Sequence, residues 1–347
     1  MKKIKAKRNF FSKFLFGARI FLIILLLLLG ASFTYEKIMQ SKAQEQYPPP
    51  GKLVDVGGYD LHILQQGTGS PTIIFETGSG APSTYWKNIV SELPSNVTVI
   101  TYDRAGYNWS DKHVTKRTGE NIVKELHTAL DKLDLKEPYI FVGHSIGGLY
   151  TRLYAKMYPS EVAGMMLLDA RSENFGEKSD QILVDAGVDP ATFGTTPVGL
   201  IKALRTTGLL RVFKEPIFGN YYESKEEVNE AINLMFTTKF LNAMKEENEL
   251  LYLVEENLKD QHLGNIPLTV VAKGVPSDLT TMGLSKEAST LYEDIWMEEQ
   301  QSLAGLSSNS KFLIADKSGH DIAIDEPELV LKELEDLIER VENNNTN

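Results

Sequence analysis

One stretch constrains the chain more than any other: Pro138-Tyr139-Ile140-Phe141-Val142-Gly143-His144-Ser145-Ile146-Gly147-Gly148-Leu149-Tyr150. An apolar run enters Gly-His-Ser-Ile-Gly and leaves as a helix, Leu149 to Tyr158, that Pro159 closes. A Gly-x-Ser-x-Gly turn between strand and helix places its serine on a tight, strained bend, with the hydroxyl raised above the sheet. Gly143 and Gly147 carry no Cβ, so strand and helix can close together beside it. The amides at the start of the new helix then face the serine, where an oxyanion would develop.

The rest of the body alternates strand and helix. Leu53 to Val56 and Tyr59 to Leu64, joined by Gly57-Gly58, read as a hairpin. Pro71 to Glu76 is a buried strand ending at Thr77-Gly78-Ser79-Gly80, and Val97 to Tyr102 is another, ending at Asp103-Arg104. Gly119 to Asp134 places Ile122, Leu126, Ala129, Leu130 and Leu133 on one helical stripe. Val162 to Leu168 is a strand ending at Asp169. Residues 170–265 then break the alternation with helical stretches, Leu200 to Phe213 and Lys225 to Leu258, and read as a helical cap. Pro267 to Ala272 resumes the sheet. Ser285 to Leu306 is a helix, Lys311 to Ala315 the last strand, and Pro327 to Val341 the closing helix. This pattern predicts a doubly wound, mostly parallel central sheet, with a core over 46–169 and 266–347 and a cap insert over 170–265.

Charge sets the N-terminus apart. The chain carries a net charge of −11, yet residues 1–45 hold nine Lys/Arg against two acids, a net of +7, which leaves −18 on the rest. An acidic body argues against nucleic-acid binding. Ile20 to Tyr35 is uncharged, and counted from Phe14, with Arg19 snorkelling, the apolar segment reaches about the 20 residues that cross a bilayer. The basic flank, seven Lys/Arg before the purely apolar run Phe21 to Leu29, should stay cytoplasmic, which puts the body outside. A single-pass anchor is the favoured reading, and secretion after signal cleavage is the alternative. Glu36 to Gln46 and the Tyr47-Pro48-Pro49-Pro50-Gly51 break read as a spacer. The chain has no cysteine, which excludes disulfides, thiolate metal sites and a cysteine nucleophile.

Ligands of open α/β sheets bind past the carboxyl ends of the strands, and Ser79, Ser145, Asp169 and His320 all sit there. His62 alternates with apolar neighbours and reads as a strand residue. His113, His127 and His262 fall in loop, helix and cap, with no evident partner. No metal cluster or phosphate loop is visible: Gly78-Ser79-Gly80 lacks the Lys-Ser/Thr end of one. No cofactor is implied.

Gly143-His144-Ser145-Ile146-Gly147-Gly148, Tyr102-Asp103-Arg104-Ala105-Gly106 and Ser318-Gly319-His320 together resemble the α/β-hydrolase fold superfamily, in its capped esterase- and haloperoxidase-like branch. The resemblance spans residues 52–341 and keeps the chain order serine, acid, histidine. It implies Ser145 as nucleophile and His320 as general base, since an isolated hydroxyl needs an imidazole to take its proton. For the acid it leaves two residues open. Asp169, after the strand that follows the nucleophile, is favoured over Asp278, which comes late in the loop Lys273-Gly274-Val275-Pro276-Ser277-Asp278. It implies an oxyanion hole from the amides of Ile146 and Ser79. Asp103 and Arg104 are expected to brace loops.

The expected function is that of a membrane-anchored serine hydrolase, cleaving a carboxylic ester of an apolar small molecule through an acyl-enzyme. Ser145 stands where epoxide hydrolases and haloalkane dehalogenases carry an aspartate; amide, thioester or lactone cleavage and perhydrolysis stay open. The other reading is a hydrolase-fold ligand sensor with slow or single turnover.

Overall fold

The computed structural model describes residues 2–345 apart from 220, 221 and 223. Its strands are β1 (Lys52–Asp55), β2 (Asp60–Gln66), β3 (Thr72–Glu76), β4 (Thr98–Asp103), β5 (Tyr139–His144), β6 (Val162–Leu168), β7 (Leu268–Lys273) and β8 (Ser310–Ala315). They form one sheet in the order β1-β2-β4-β3-β5-β6-β7-β8. β1 and β2 pair antiparallel, as do β2 and β4, and every other neighbour is parallel. The expected doubly wound, mostly parallel sheet is the one observed.

The helices in chain order are α1 (Lys2–Gln46), α2 (Lys87–Glu92), α3 (Gly119–Lys132), α4 (Ile146–Met157) and α5 (Phe175–Asp185), then the short α6 (Val198–Thr206), α7 (Leu209–Val212) and α8 (Lys214–Phe218). They continue with α9 (Lys225–Leu234), α10 (Thr238–Glu249), α11 (Leu251–Leu258), α12 (Lys286–Ala304), α13 (Ile322–Asp325) and α14 (Pro327–Asn345). Two compact units result, one of residues 1–48 with 197–241 and the other of 49–196 with 242–347.

The sheet lies in the second unit. β3, β4 and β5 are buried along their whole length, as strands covered on both faces must be. Alternate residues divide between the two faces. Ile74, Ile100, Phe141, Met165 and Val270 pack with Leu126 of α3, Leu149 of α4 and Val254 of α11. Ile73, Val99, Val142, Met166 and Val271 pack with Ile89 of α2 and Leu334 of α14. The carboxyl ends of the parallel strands therefore share one edge, and the loops that leave it carry the candidate site.

In the first unit, α1 has two stretches of different character. Residues 13–28 are exposed all round. From Ser32 on, the helix lies against its neighbours with one stripe: the ideal Cβ of Gly208 would stand 2.3 Å from the Ser32 carbonyl oxygen, and Glu36 is fully buried. Nε of Arg205 lies 2.9 Å and Nε of Arg211 2.8 Å from the two carboxylate oxygens of Glu36, and Arg211 also donates to Oδ1 of Asn233 at 2.9 Å. The Tyr47 hydroxyl donates to Glu226 at 2.8 Å. The stretch expected as a spacer is thus a continuation of the helix through Gln46.

The long helices expected over 200–213 and 225–258 are divided. Gly208 takes a left-handed φ of 77°, which ends α6 and starts α7. The Thr237 hydroxyl accepts from the Phe240 amide, a cap that restarts the chain as α10, and a second break at Leu250 separates α11.

Candidate active site

Ser145 occupies the one-residue gap between β5 and α4, with φ 55° and ψ −127°, a conformation that L-residues rarely adopt. Its amide donates to the Leu168 carbonyl at 3.3 Å, and its carbonyl accepts from the Arg171 amide at 3.0 Å. The turn is therefore tied to the end of β6. Gly147 has no alternative: a Cβ there would meet the Glu76 and Thr77 carbonyl oxygens at 2.5 and 2.6 Å. Ile146 is the first residue of α4, so its amide has no acceptor inside the helix.

His320 stands in the loop after β8. That loop is held by the Gly319 amide donating to Asp325 at 2.9 Å and by the Val275 amide donating to the Ser318 carbonyl at 2.9 Å. The His320 Nδ1 lies 2.6 Å from Oδ2 of Asp169. The imidazole is 37% exposed and the carboxylate is fully buried. Asp169 follows β6 directly with φ 40°. Its second oxygen accepts from the Trp296 indole N–H at 2.8 Å and from the Lys273 amide at 3.2 Å. A carboxylate against Nδ1 fixes the proton there and leaves Nε2 as the basic nitrogen.

The other candidate acid lies elsewhere. Asp278 is exposed, and its Oδ1 accepts from the amide and the hydroxyl of Thr280 at 3.0 and 2.6 Å, capping a short 3₁₀ turn. Those two hydrogen bonds, the hydroxyl's first, hold its carboxyl below the usual range. Of the two aspartates, the structure brings Asp169 to His320.

His144, next to Ser145, is buried. Its Nε2 lies 2.9 Å from the His320 carbonyl oxygen and donates to it, while Nδ1 has no hydrogen-bond partner among the described residues. Burial first, and the neighbouring His320 second, push its pKa down to about 3, so it is a neutral donor. The Tyr85 ring stacks on it with centroids 5.0 Å apart.

The Thr77-Gly78-Ser79 loop runs against Ser145: a Cβ on Gly78 would stand 3.1 Å from the Ser145 Cβ. Arg104 fixes this loop, donating to the Thr77 carbonyl at 2.8 Å and the Gly78 carbonyl at 2.9 Å. Its remaining donors reach Glu76 at 2.6 Å and Glu247 at 3.1 Å. Glu247 also accepts from the Tyr107 hydroxyl at 2.8 Å. Burial raises the Glu76 carboxyl and Arg104 opposes the rise. The Ser79 hydroxyl donates to Asn248 at 3.1 Å. Asp103 accepts from the Ser83 amide at 2.9 Å and lies 2.8 Å from the buried His62, a pairing within strand and loop.

Trp296, Lys273, Glu247 and Tyr85 support the site without having been singled out from the sequence. Trp296 is one aromatic on a helix whose apolar face would be read as packing. The contact that matters is an indole N–H aimed at a residue 127 positions away.

A family model described as "alpha/beta hydrolase fold" matches residues 71–201. The chain is 28% identical over 280 residues to protein YqjL of Bacillus subtilis (strain 168), covering 80% of this chain and 88% of that one. It is 22% identical over 280 residues to the monoacylglycerol lipase ABHD6 of Bos taurus, covering 78% and 76%. Among solved structures it resembles a thermophilic esterase from Thermogutta terrifontis, with a TM-score of 0.57 at 19% identity over 84% of this chain and 98% of the esterase.

Proposed function

Because this chain belongs to the α/β-hydrolase fold superfamily, we propose that it is a membrane-anchored serine hydrolase that cleaves a carboxylic ester of an apolar substrate. The observation that carries the reading is the buried Asp169 carboxylate 2.6 Å from Nδ1 of His320, beside a serine held at φ 55°. In this mechanism the Ser145 hydroxyl attacks the ester carbonyl while Nε2 of His320 takes its proton. The amides of Ile146 and Ser79 receive the oxyanion of the tetrahedral intermediate. His320 then returns the proton to the leaving alcohol, an acyl-Ser145 forms, and water activated by the same nitrogen releases the carboxylic acid.

Asp169 holds the ring in the Nδ1–H tautomer and offsets the positive charge that forms on it. His144 and Trp296 act behind this pair, the first on the His320 backbone and the second on the aspartate. The likeness to a monoacylglycerol lipase supports an acyl ester with a hydrocarbon chain as the substrate class. α1 carries a stretch, Lys13–Ala43, long and apolar enough to cross a membrane by length and composition. With the basic flank cytoplasmic, it would hold the body on the far side of the bilayer.

The test is active-site titration of the full chain in detergent with a fluorophosphonate, followed by hydrolysis of a series of acyl esters. Stoichiometric labelling that disappears in Ser145→Ala, together with repeated turnover of an ester, is the expected result. Folded protein that takes up no label, or that releases one equivalent of alcohol and stops, overturns the reading as a hydrolase.

A further inference from the structure

The apolar surface of this chain does not end with α1. Within the first unit, Leu200 of α6, Val212 of α7, Phe213 and Ile217 of α8 are 60%, 57%, 52% and 38% exposed. These helices are not placed at random along α1. The turn between α6 and α7, at Gly208, packs on Ser32, and Ser32 lies inside the uncharged segment 20–35. Counted from Phe14 at about 1.5 Å per residue, a hydrocarbon core about 30 Å thick ends near Phe33. The α6–α7 turn therefore sits at the level where the acyl chains give way to headgroups.

Two further contacts fix that level. Glu36, about 6 Å further along the helix than Ser32, is the shared partner of Arg205 and Arg211, one on each side of the turn. Glu36, Arg205 and Arg211, charges close to the boundary, are thus paired with one another and buried in protein. Tyr47, about 22 Å beyond Ser32, bonds Glu226 in the first turn of α9. Along α1, the start of α9 is therefore held at the far end and the turn that joins α6 to α7 at the membrane end. Phe33 and Tyr35 of α1, 44% and 48% exposed at the same level, are residues of the kind that occupy a bilayer boundary.

We propose that the outer surface of α6–α8 rests in the headgroup–acyl boundary of the bilayer that α1 crosses, so that the protein holds the membrane by a span and by an adjoining interfacial face. This rests on reading α1 as an uncleaved span. An amphipathic surface lies in that plane with its apolar side chains a few ångströms below the headgroups. The occupant is lipid because the turn that joins these helices packs on α1 where its uncharged segment ends, and Arg205 and Arg211 beside it are already paired with Glu36.

The absence of cysteine makes the test clean. Single-cysteine variants of the full chain, Phe213→Cys, Ile217→Cys, Leu25→Cys and Lys225→Cys, are labelled with bimane and reconstituted in phosphatidylcholine vesicles containing nitroxide lipids spin-labelled near the headgroup or deep in the chain. The expected result has three parts. Deep nitroxides quench Leu25→Cys; shallow nitroxides quench Phe213→Cys and Ile217→Cys at least half as strongly as deep ones quench Leu25→Cys; neither quenches Lys225→Cys. Quenching at Leu25→Cys without quenching at Phe213→Cys and Ile217→Cys overturns the interfacial face and leaves the span standing. Bimane at Phe213→Cys that is shielded from water but not quenched by lipid, with disulfide dimers forming on oxidation of the unlabelled variant, assigns the face to a second copy and also overturns it. No quenching at Leu25→Cys overturns the span and the inference with it.

Discussion

The Nδ1 of His320 and Oδ2 of Asp169 are 2.6 Å apart although their residues are 151 positions apart in the chain. Asp169 reaches this position because β6 ends one residue before it and β7 and β8 lie next in the sheet, so the loop after β8 folds back over the end of β6. Asp169→Asn keeps the shape and loses the charge. We expect its kcat on a short acyl ester to fall by up to about 10⁴-fold. Asp278→Asn, which loosens only a surface cap, should keep its kcat within a factor of about two, as expected for an exposed position away from the site. Parallel steady-state kinetics on the two variants decide between them.

Trp296 supports the same carboxylate from the other side. Trp296→Phe removes the indole donor and keeps an aromatic ring against Phe175, whose centroid lies 4.6 Å from that of Trp296. A hydrogen bond to a charged group is worth about 1.5–3 kcal/mol, so kcat should fall by roughly 10- to 100-fold. KM should stay unchanged, because the lost contact is not to the substrate. A variant with wild-type kcat would show that the Lys273 amide and His320 suffice to orient Asp169.

Arg104 is buried between two carboxylates and two carbonyl oxygens. Arg104→Leu leaves Glu76 and Glu247 without their shared cation and should destabilise the protein by about 3–5 kcal/mol, read as a fall in thermal midpoint in detergent. Because Arg104 also holds the Thr77 and Gly78 carbonyls, labelling of Ser145 by a fluorophosphonate should slow even at temperatures where the variant is folded.

His144 gives the protein a specific acid sensitivity. Its pKa is about 3 in the folded chain against an ordinary value of 6.5. Between those two values the unfolded chain binds a proton that the folded one excludes, so stability rises with pH across that window and is level above it. One such proton changes stability by about 1.4 kcal/mol per pH unit. Unfolding followed from pH 7 downward should therefore show a shallower loss in His144→Asn than in wild type, beginning below about 6.5. Equal slopes would remove His144 from the account.

The sheet was legible because its signals are local. Apolar runs bounded by glycine and proline gave β3 to β8 within a residue or two, and the elbow announced its own strand and helix. Ser145 and His320 could be named because each follows a strand end with a glycine beside it. The choice between Asp169 and Asp278 could not be made on such grounds. The resemblance favoured Asp169, but the pairing depends on how far the loop after β8 reaches across β7 to the end of β6, which no local pattern encodes. Trp296 and Glu247 were out of reach for a related reason: their partners lie 127 and 143 residues away, and a helix or loop pattern carries no information about them, whereas Arg104 braces a loop as expected. The joints between the helices of residues 170–265 were not legible, since Gly208 and Thr237 interrupt an apolar period that continues across them.

The separation of Asp169 from His320 along the chain has a consequence for how the protein comes into being. A chain made at about 5–20 residues per second carries its serine and its aspartate for roughly 8–30 s before its last histidine exists. Throughout that interval β8 is missing from the sheet edge and the His320 imidazole is missing from the candidate site. The order of the residues thus sets a delay in biosynthesis: the pairing of Asp169 with His320 can form only after the segment through β8 has been made.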